Sequence, residues 1–127
     1  MVKIDVLKGK TPEYKKALLD GIHASLMEAF GIPAEDQNMR IYEWEPENFL
    51  YNSRKSPCYT LIEINAFKGR SREAKKKLYE LIKSRLGVNP GVPASDILIF
   101  IHEISLENWG IRGLAGDEIE LGFSLQV

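Results

Sequence analysis

The chain has 127 residues, 44% of them hydrophobic and 28% charged, enough for one domain with its own core; its single cysteine excludes an internal disulfide. Seventeen Lys and Arg stand against eighteen Asp and Glu, a net charge of −1, which argues against a dedicated nucleic-acid binder, whose affinity comes from surplus cations on phosphate. No apolar run reaches membrane-spanning length and Met1 to Asp5 lack a signal-peptide core, so the expectation is one cytoplasmic domain over 1–127 with no membrane partner.

In chain order, Val2 to Leu7 is rich in β-formers and predicts a strand. After the basic turn Lys8-Gly9-Lys10, Thr11 is placed as an N-cap, Pro12 suits the first helical position and Glu13 lies favourably in the first turn. Tyr14, Leu18, Ile22, Leu26 and Ala29 fall on one helical face, and Gly31 marks the stop. Met39 to Trp44 predicts the returning strand. Tyr59 to Phe67, the turn Lys68-Gly69-Arg70, the cap Ser71 and the face Ala74, Leu78, Ile82 and Leu86 repeat the series, with Gly87 as the expected stop. Ile97 to Glu103 is the second returning strand; its apolar run Ile97 to Ile101 predicts burial on both faces. Residues 116–127 carry strand character at Ile119 to Val127.

The series repeats because the chain is internally duplicated. A shift of 60 residues aligns the halves without a gap, pairing Gly9 with Gly69, Glu13 with Glu73, Leu18 with Leu78, Ile22 with Ile82, Pro33-Ala34 with Pro93-Ala94, Asp36 with Asp96 and Glu47-Asn48 with Glu107-Asn108. Unit one covers about 1–54 and unit two about 55–115. A strand–helix–strand crossover makes a parallel, right-handed pair. The fold class is therefore α+β: two tandem β-α-β units forming a four-stranded sheet with two helices on one face. The other sheet face is left bare, which predicts self-association. The same element order describes a ferredoxin-like module, so architecture alone does not choose between them.

The turns do. The strand–Lys-Gly-Lys/Arg-Thr/Ser–Glu unit, the Gly-Ile/Val-Pro-Ala-x-Asp loop and the Glu-Asn-Phe/Trp close resemble the tautomerase superfamily over residues 1 to about 115. That family includes 4-oxalocrotonate tautomerase, macrophage migration inhibitory factor and malonate semialdehyde decarboxylase. Leu18-Leu19-Asp20, His23, Ala29-Phe30-Gly31 and Pro33-Ala34 resemble the fused two-unit decarboxylase group. The resemblance implies a macrophage migration inhibitory factor-like fold, a homotrimer with sheets inside, and no cofactor or metal.

Catalysis in the family rests on an amino-terminal proline. Here residue 2 is Val2 and no proline precedes Pro12, so the chain looks like a divergent member lacking it. The expected stand-in is the α-amine of Met1, whose ordinary pKa is near 8 and falls on burial; Lys3 is set aside because strand alternation turns it to the other face. By resemblance, Asp36 holds the position of an acid that orients or activates water. Lys68 and Arg70 hold the position of a basic pair that takes a carboxylate, Arg70 being helped by the free amides at Ser71. Asn38 stands where related tautomerases carry an arginine. Trp109, with its repeat mate Phe49, matches the aromatic wall of the family pocket, and Gly110-Ile111-Arg112-Gly113 resembles the hairpin that follows it.

The plainer alternatives are a solvated helix start for Lys68 and Arg70, a turn cap for Asp36, a core aromatic for Trp109 and a packed, hydrogen-bonded His23. Lys75-Lys76-Lys77 reads as a solvated face, His102 and Glu103 lack a third ligand, and Cys58 lacks a base. Two functions follow: an isomerase or decarboxylase acting on a small keto or enol carboxylic acid by proton transfer without proline, or a catalytically inactive trimer of the same fold serving as a binding or structural module. A ferredoxin-like RNA module is disfavoured by the neutral charge and the absence of an aromatic-rich recognition strand.

Overall fold

The computed structural model describes residues 1–127. Strand β1 (Val2–Leu7) leads to helix α1 (Pro12–Phe30) and strand β2 (Met39–Trp44); β3 (Thr60–Phe67), α2 (Arg72–Val88) and β4 (Ile97–Ile104) follow, and a short hairpin pairs β5 (Gly110–Ile111) with β6 (Leu114–Ala115). The sheet order is β2-β1-β3-β4, parallel within each unit and antiparallel where β1 meets β3. At that seam Val2 pairs with Ile64, Lys3 with Glu63 and Ile4 with Ile62. Shifting either partner by 60 exchanges the first and last of these pairs, so the duplication folds about a pseudo-two-fold axis between Lys3 and Glu63.

The caps form as the residues dictate. Thr11 accepts from the Tyr14 amide and Ser71 from the Ala74 amide, and Gly31 closes α1 in the left-handed conformation (φ 68°). Val2, Ile4 and Val6 of β1 and Ile62 and Ile64 of β3 turn inward against Leu18, Ile22 and Leu26 of α1 and Leu78, Ile82 and Leu86 of α2, all buried. Strand alternation puts Lys3, Asp5, Arg40, Tyr42, Leu61, Glu63, Leu98 and Phe100 on the opposite face, away from both helices. Leu98 is 49% exposed there. No helix is long and apolar enough to cross a membrane.

Three expectations need correction. The β4 run is not enclosed on both faces in the single chain, because β4 is an edge strand and only its inward residues meet the helices. Gly87 does not stop α2: the helix continues through Val88 to a cap at Asn89, and the amides of Gly91 and Val92 both return to the Leu86 carbonyl. Residues 116–127 form no strand. They make one 3-10 turn at Gly116–Glu118 and then lie irregularly against the start of α2, where the Ser71 amide donates to Val127 O (3.0 Å). The tail pairs with neither free edge of the sheet, β2 or β4, so its strand character goes unused in the single chain. The tail's approach explains Gly69 (φ 142°): a β-carbon there would lie 3.1 Å from that of Leu125.

Candidate functional site

A cleft of about 530 Å³ opens where β1 begins and β3 ends, roofed by the loop after α1, the β5–β6 hairpin and the tail. Met1 extends the β1–β3 seam by one pair: its amine donates to Asn65 O (2.9 Å) and the Asn65 amide donates back to Met1 O (2.8 Å). The amine is thereby pinned in the cleft wall. Burial pulls its pKa below the ordinary 8.0, the Asp36 charge opposes that shift and the Arg70 charge adds to it.

Arg70 is the most telling side chain. It is buried (8% exposed), its guanidinium lies over the Phe30 ring (4.8 Å) and nearer the edge of contact with Phe123 (5.9 Å), and Nη1 donates to Phe67 O (3.1 Å). Nε is buried without a partner, and no carboxylate forms an ion pair with the group. Burial lowers its pKa, against the more distant charges of Asp36 and Glu103. A buried cation without an anion is costly, so this arrangement favours an anionic occupant.

Asp36 and Trp109 line the same cleft. Asp36 sits exposed in the turn closed by its own amide on Pro33 O (3.1 Å). Trp109 packs on Phe67 (ring centroids 4.6 Å) and donates from Nε1 to Ile104 O. Gly116 accepts its close approach, since a β-carbon at 116 would lie 3.3 Å from that of Trp109, and 2.6 Å from Leu106 O. Four of the five expected residues, Met1, Asp36, Arg70 and Trp109, therefore come together. Lys68 does not. It is exposed in the turn after Phe67, with its amide on Ile104 O, and is absent from the cleft. The basic pair is split because the turn at Gly69 sends one side chain out and the other in.

Asn38 lies in the cleft wall, as do Gly110, Ile111 and Arg112 of the hairpin, whose turn places Arg112 at φ 53°. His23 lies there too: Nε2 is 2.9 Å from Ala34 O, in the loop that carries Asp36. Phe30, Phe123 and Ile32 complete an apolar lining that the strand and helix patterns did not single out. Elsewhere, His102 turns to Asn65 and Glu63 on the outer face while Glu103 pairs with Lys75; Lys76 and Lys77 are solvated. Lys3 lies over the Tyr42 ring.

The duplication places a second copy of this site at the other end of the sheet, and there the chain fills it. Asp96, the mate of Asp36, is buried and accepts from the Ser56 amide (2.9 Å) and hydroxyl; Lys10, the mate of Arg70, donates to Pro57 O (3.0 Å). Phe49, the mate of Trp109, packs with Tyr51 and Tyr59, and half-buried Cys58 belongs to the same plug. Burial alone would raise the Asp96 pKa, but the Ser56 hydrogen bonds and nearby Lys55 outweigh it and hold the carboxyl below its ordinary value. This stabilisation is present above the ordinary carboxyl pKa and is lost as pH falls through the lowered one. Ser56→Ala should thus cost about 1–3 kcal/mol at pH 7, with the gap to wild type narrowing in acid, measured by denaturant melts across pH.

Two family models, both described as tautomerase enzyme, match residues 36–112 and 1–53. A probable tautomerase, YrdN, of Bacillus subtilis (strain 168) is 27% identical over 117 residues, covering 86% of this chain and 88% of that protein. The 2-hydroxymuconate tautomerase of Comamonas testosteroni is 35% identical over 57 residues, 45% of this chain and 90% of that one. Among solved structures, a malonate semialdehyde decarboxylase superposes with a TM-score of 0.81 at 25% identity, covering 87% of this chain and 89% of that one. A fused 4-OT solved as an asymmetric trimer gives 0.83 at 21% identity, 92% and 96% covered.

Proposed function

The chain belongs to the tautomerase superfamily, and from that premise we propose that it moves a proton on carbon in a small keto or enol carboxylic acid, as an isomerase or a decarboxylase. The observation that carries this reading is Arg70, a buried guanidinium without a carboxylate partner in an apolar cleft. The substrate carboxylate would occupy that vacancy in charge, in a charge-assisted hydrogen bond strengthened by the dry surroundings.

Met1 supplies the proton chemistry. In the keto-to-enol direction its neutral amine takes a proton from the carbon beside the carbonyl, the electron pair moves onto oxygen, and that oxygen takes a proton from water. In reverse, the ammonium returns the proton to carbon while the enol oxygen gives its own to water. A decarboxylase needs the same return step after the carbon–carboxylate bond breaks and carbon dioxide leaves. The lowered pKa of the amine supports both roles, because a base that is partly free at neutral pH is also an acid of useful strength. Asp36, exposed at the lip, sets the charge beside the amine and can hold a water.

Phenylenolpyruvate and 2-hydroxymuconate test the proposal directly, by the decay of enol absorbance above the uncatalysed rate. A second reading, a catalytically inactive binding trimer, is favoured by the absence of any proline before Pro12. Flat progress curves together with retained carboxylate binding would select it.

Both readings include a homotrimer built on the bare sheet face. Its support is the exposure of Leu98 and Tyr42 and the trimeric state of the fused 4-OT. Leu98→Glu should then yield a folded monomer at micromolar concentration by analytical ultracentrifugation; a wild-type chain that sediments as a strict monomer would rule the trimer out.

A further inference from the structure

Beyond the turn at Gly116–Glu118 the tail alternates. Ile119, Leu121, Phe123 and Leu125 are half-buried, while Glu120, Gly122, Ser124 and Gln126 are exposed. The extended chain thus lays one apolar side on the body and turns the other to water. None of these residues is fully buried, and a single hydrogen bond, from the Ser71 amide to Val127 O, ties the segment to the body. So few fixed contacts give it low local stability, and it can lift without disturbing the core. Its seat is the anion site. Gly69, Arg70 and Ser71, successive in the turn, meet alternate tail residues: Leu125 crosses Gly69, the Phe123 ring reaches the Arg70 guanidinium (5.9 Å) and Val127 O takes the Ser71 amide. With the tail down Arg70 is 8% exposed and also meets Phe30 (4.8 Å). Rings against the guanidinium occupy its flat face and leave its in-plane N–H groups to receive an anion.

We infer that residues 119–127 are a strap that closes over a bound carboxylate, so that tail docking and anion binding at Arg70 strengthen one another. This rests on the carboxylate reading of Arg70 above. Phe123 and Leu125 are then positioning residues, the first acting through the guanidinium and the second through the seat of the tail. Lifting the strap takes Phe123 away and admits water, in which a charge-assisted hydrogen bond is weaker. The linkage is reciprocal. If the docked tail raises carboxylate affinity about tenfold, a saturating carboxylate holds the tail down about tenfold more firmly.

The Ser71 amide is the reporter, because it precedes α2, has no partner within the helix and is covered by Val127 O alone. Its hydrogen exchange, followed by NMR, should slow about tenfold in saturating cinnamate, an unreactive carboxylate. Saturating cinnamamide, which keeps the ring and lacks the charge, should leave it unchanged. The Ala74 amide, bonded to the Ser71 hydroxyl and not to the tail, should hold its rate within about twofold in both. Leu125 does not line the cleft, yet Leu125→Asn should weaken cinnamate, by about as much as Phe123→Ala does. Were Phe123 only a piece of cleft wall, Phe123→Ala alone would do so. Ser71 exchange that stays the same or quickens in cinnamate, or Leu125→Asn with wild-type affinity, would overturn the inference. Should Leu125→Asn fail to fold, the exchange measurement on the wild-type chain decides alone. Arg70→Met separates the premise: unchanged cinnamate binding there removes the carboxylate reading, whereas weakened binding with wild-type affinity in Leu125→Asn removes only the strap.

Discussion

Arg70→Met is expected to lower kcat/KM for an enol acid by about a hundredfold or more, and to leave the fold as stable as before or more so, by up to about 2 kcal/mol. The two effects have one cause. A buried guanidinium with one backbone acceptor, a stranded Nε and no carboxylate is held at a cost of desolvation. Methionine has similar length, keeps the packing on Phe30 and removes that cost, at the expense of the Phe67 hydrogen bond and the cation–π contact. What it cannot do is bind an anion, and losing one side of a desolvated charge pair weakens binding by two or more powers of ten. A purely structural Arg70 would give the reverse pattern: a clear drop in melting temperature with little change in turnover. Steady-state kinetics beside thermal melts distinguishes them.

The elements that carry Arg70 were legible because their signals are local. Thr11 and Ser71 cap the helices, and Met39–Trp44 returns where its apolar spacing put it. The 60-residue repeat made each half corroborate the other. The convergence of Met1, Asp36, Arg70 and Trp109 came through family resemblance; periodicity supplies no distances. Lys68 was misplaced because the backbone at Gly69, turned to φ 142°, divides the Lys-Gly-Arg turn and sends the two side chains apart. Phe123, reaching the Arg70 guanidinium from more than fifty positions away, leaves no sequence signal at all. His23 was legible as a packed, hydrogen-bonded histidine, and its Nε2 contact agrees; the unsatisfied Nδ1 appears only once Ala34 is in place.

The same comparison explains why only one of the two duplicated sites is an open cleft. In unit two the polypeptide must arrive at β3 from β2, and residues Ser56 to Cys58 pass through the position that the cleft occupies in unit one. Asp96 and Lys10 keep charged groups in the pattern of Asp36 and Arg70, but their hydrogen bonds are spent on the plug. Charge and spacing survived the duplication, and accessibility did not.

Acetylating the Met1 amine should lower kcat by a factor of about 10² to 10⁴, the usual contribution of a positioned acid or base, while cinnamate still binds at Arg70. Size alone would not establish the role, since an acetyl group also fills space. The pH profile does. For enolisation the neutral amine is the active form, so the rate should rise with pH and level off above a pKa lower than 8.0, the direction in which burial drives it. The neighbours then move that midpoint in opposite senses. Asp36 favours the ammonium, so Asp36→Asn should shift the midpoint to lower pH; Arg70 disfavours it, so Arg70→Met should shift the residual activity's midpoint upward. Both variants displacing the midpoint the same way, or neither moving it, would assign the titration to another group. Opposite displacements from single charge removals on either side require that the titrating group lie between them, and the amine pinned to Asn65 is the group whose pKa both charges move.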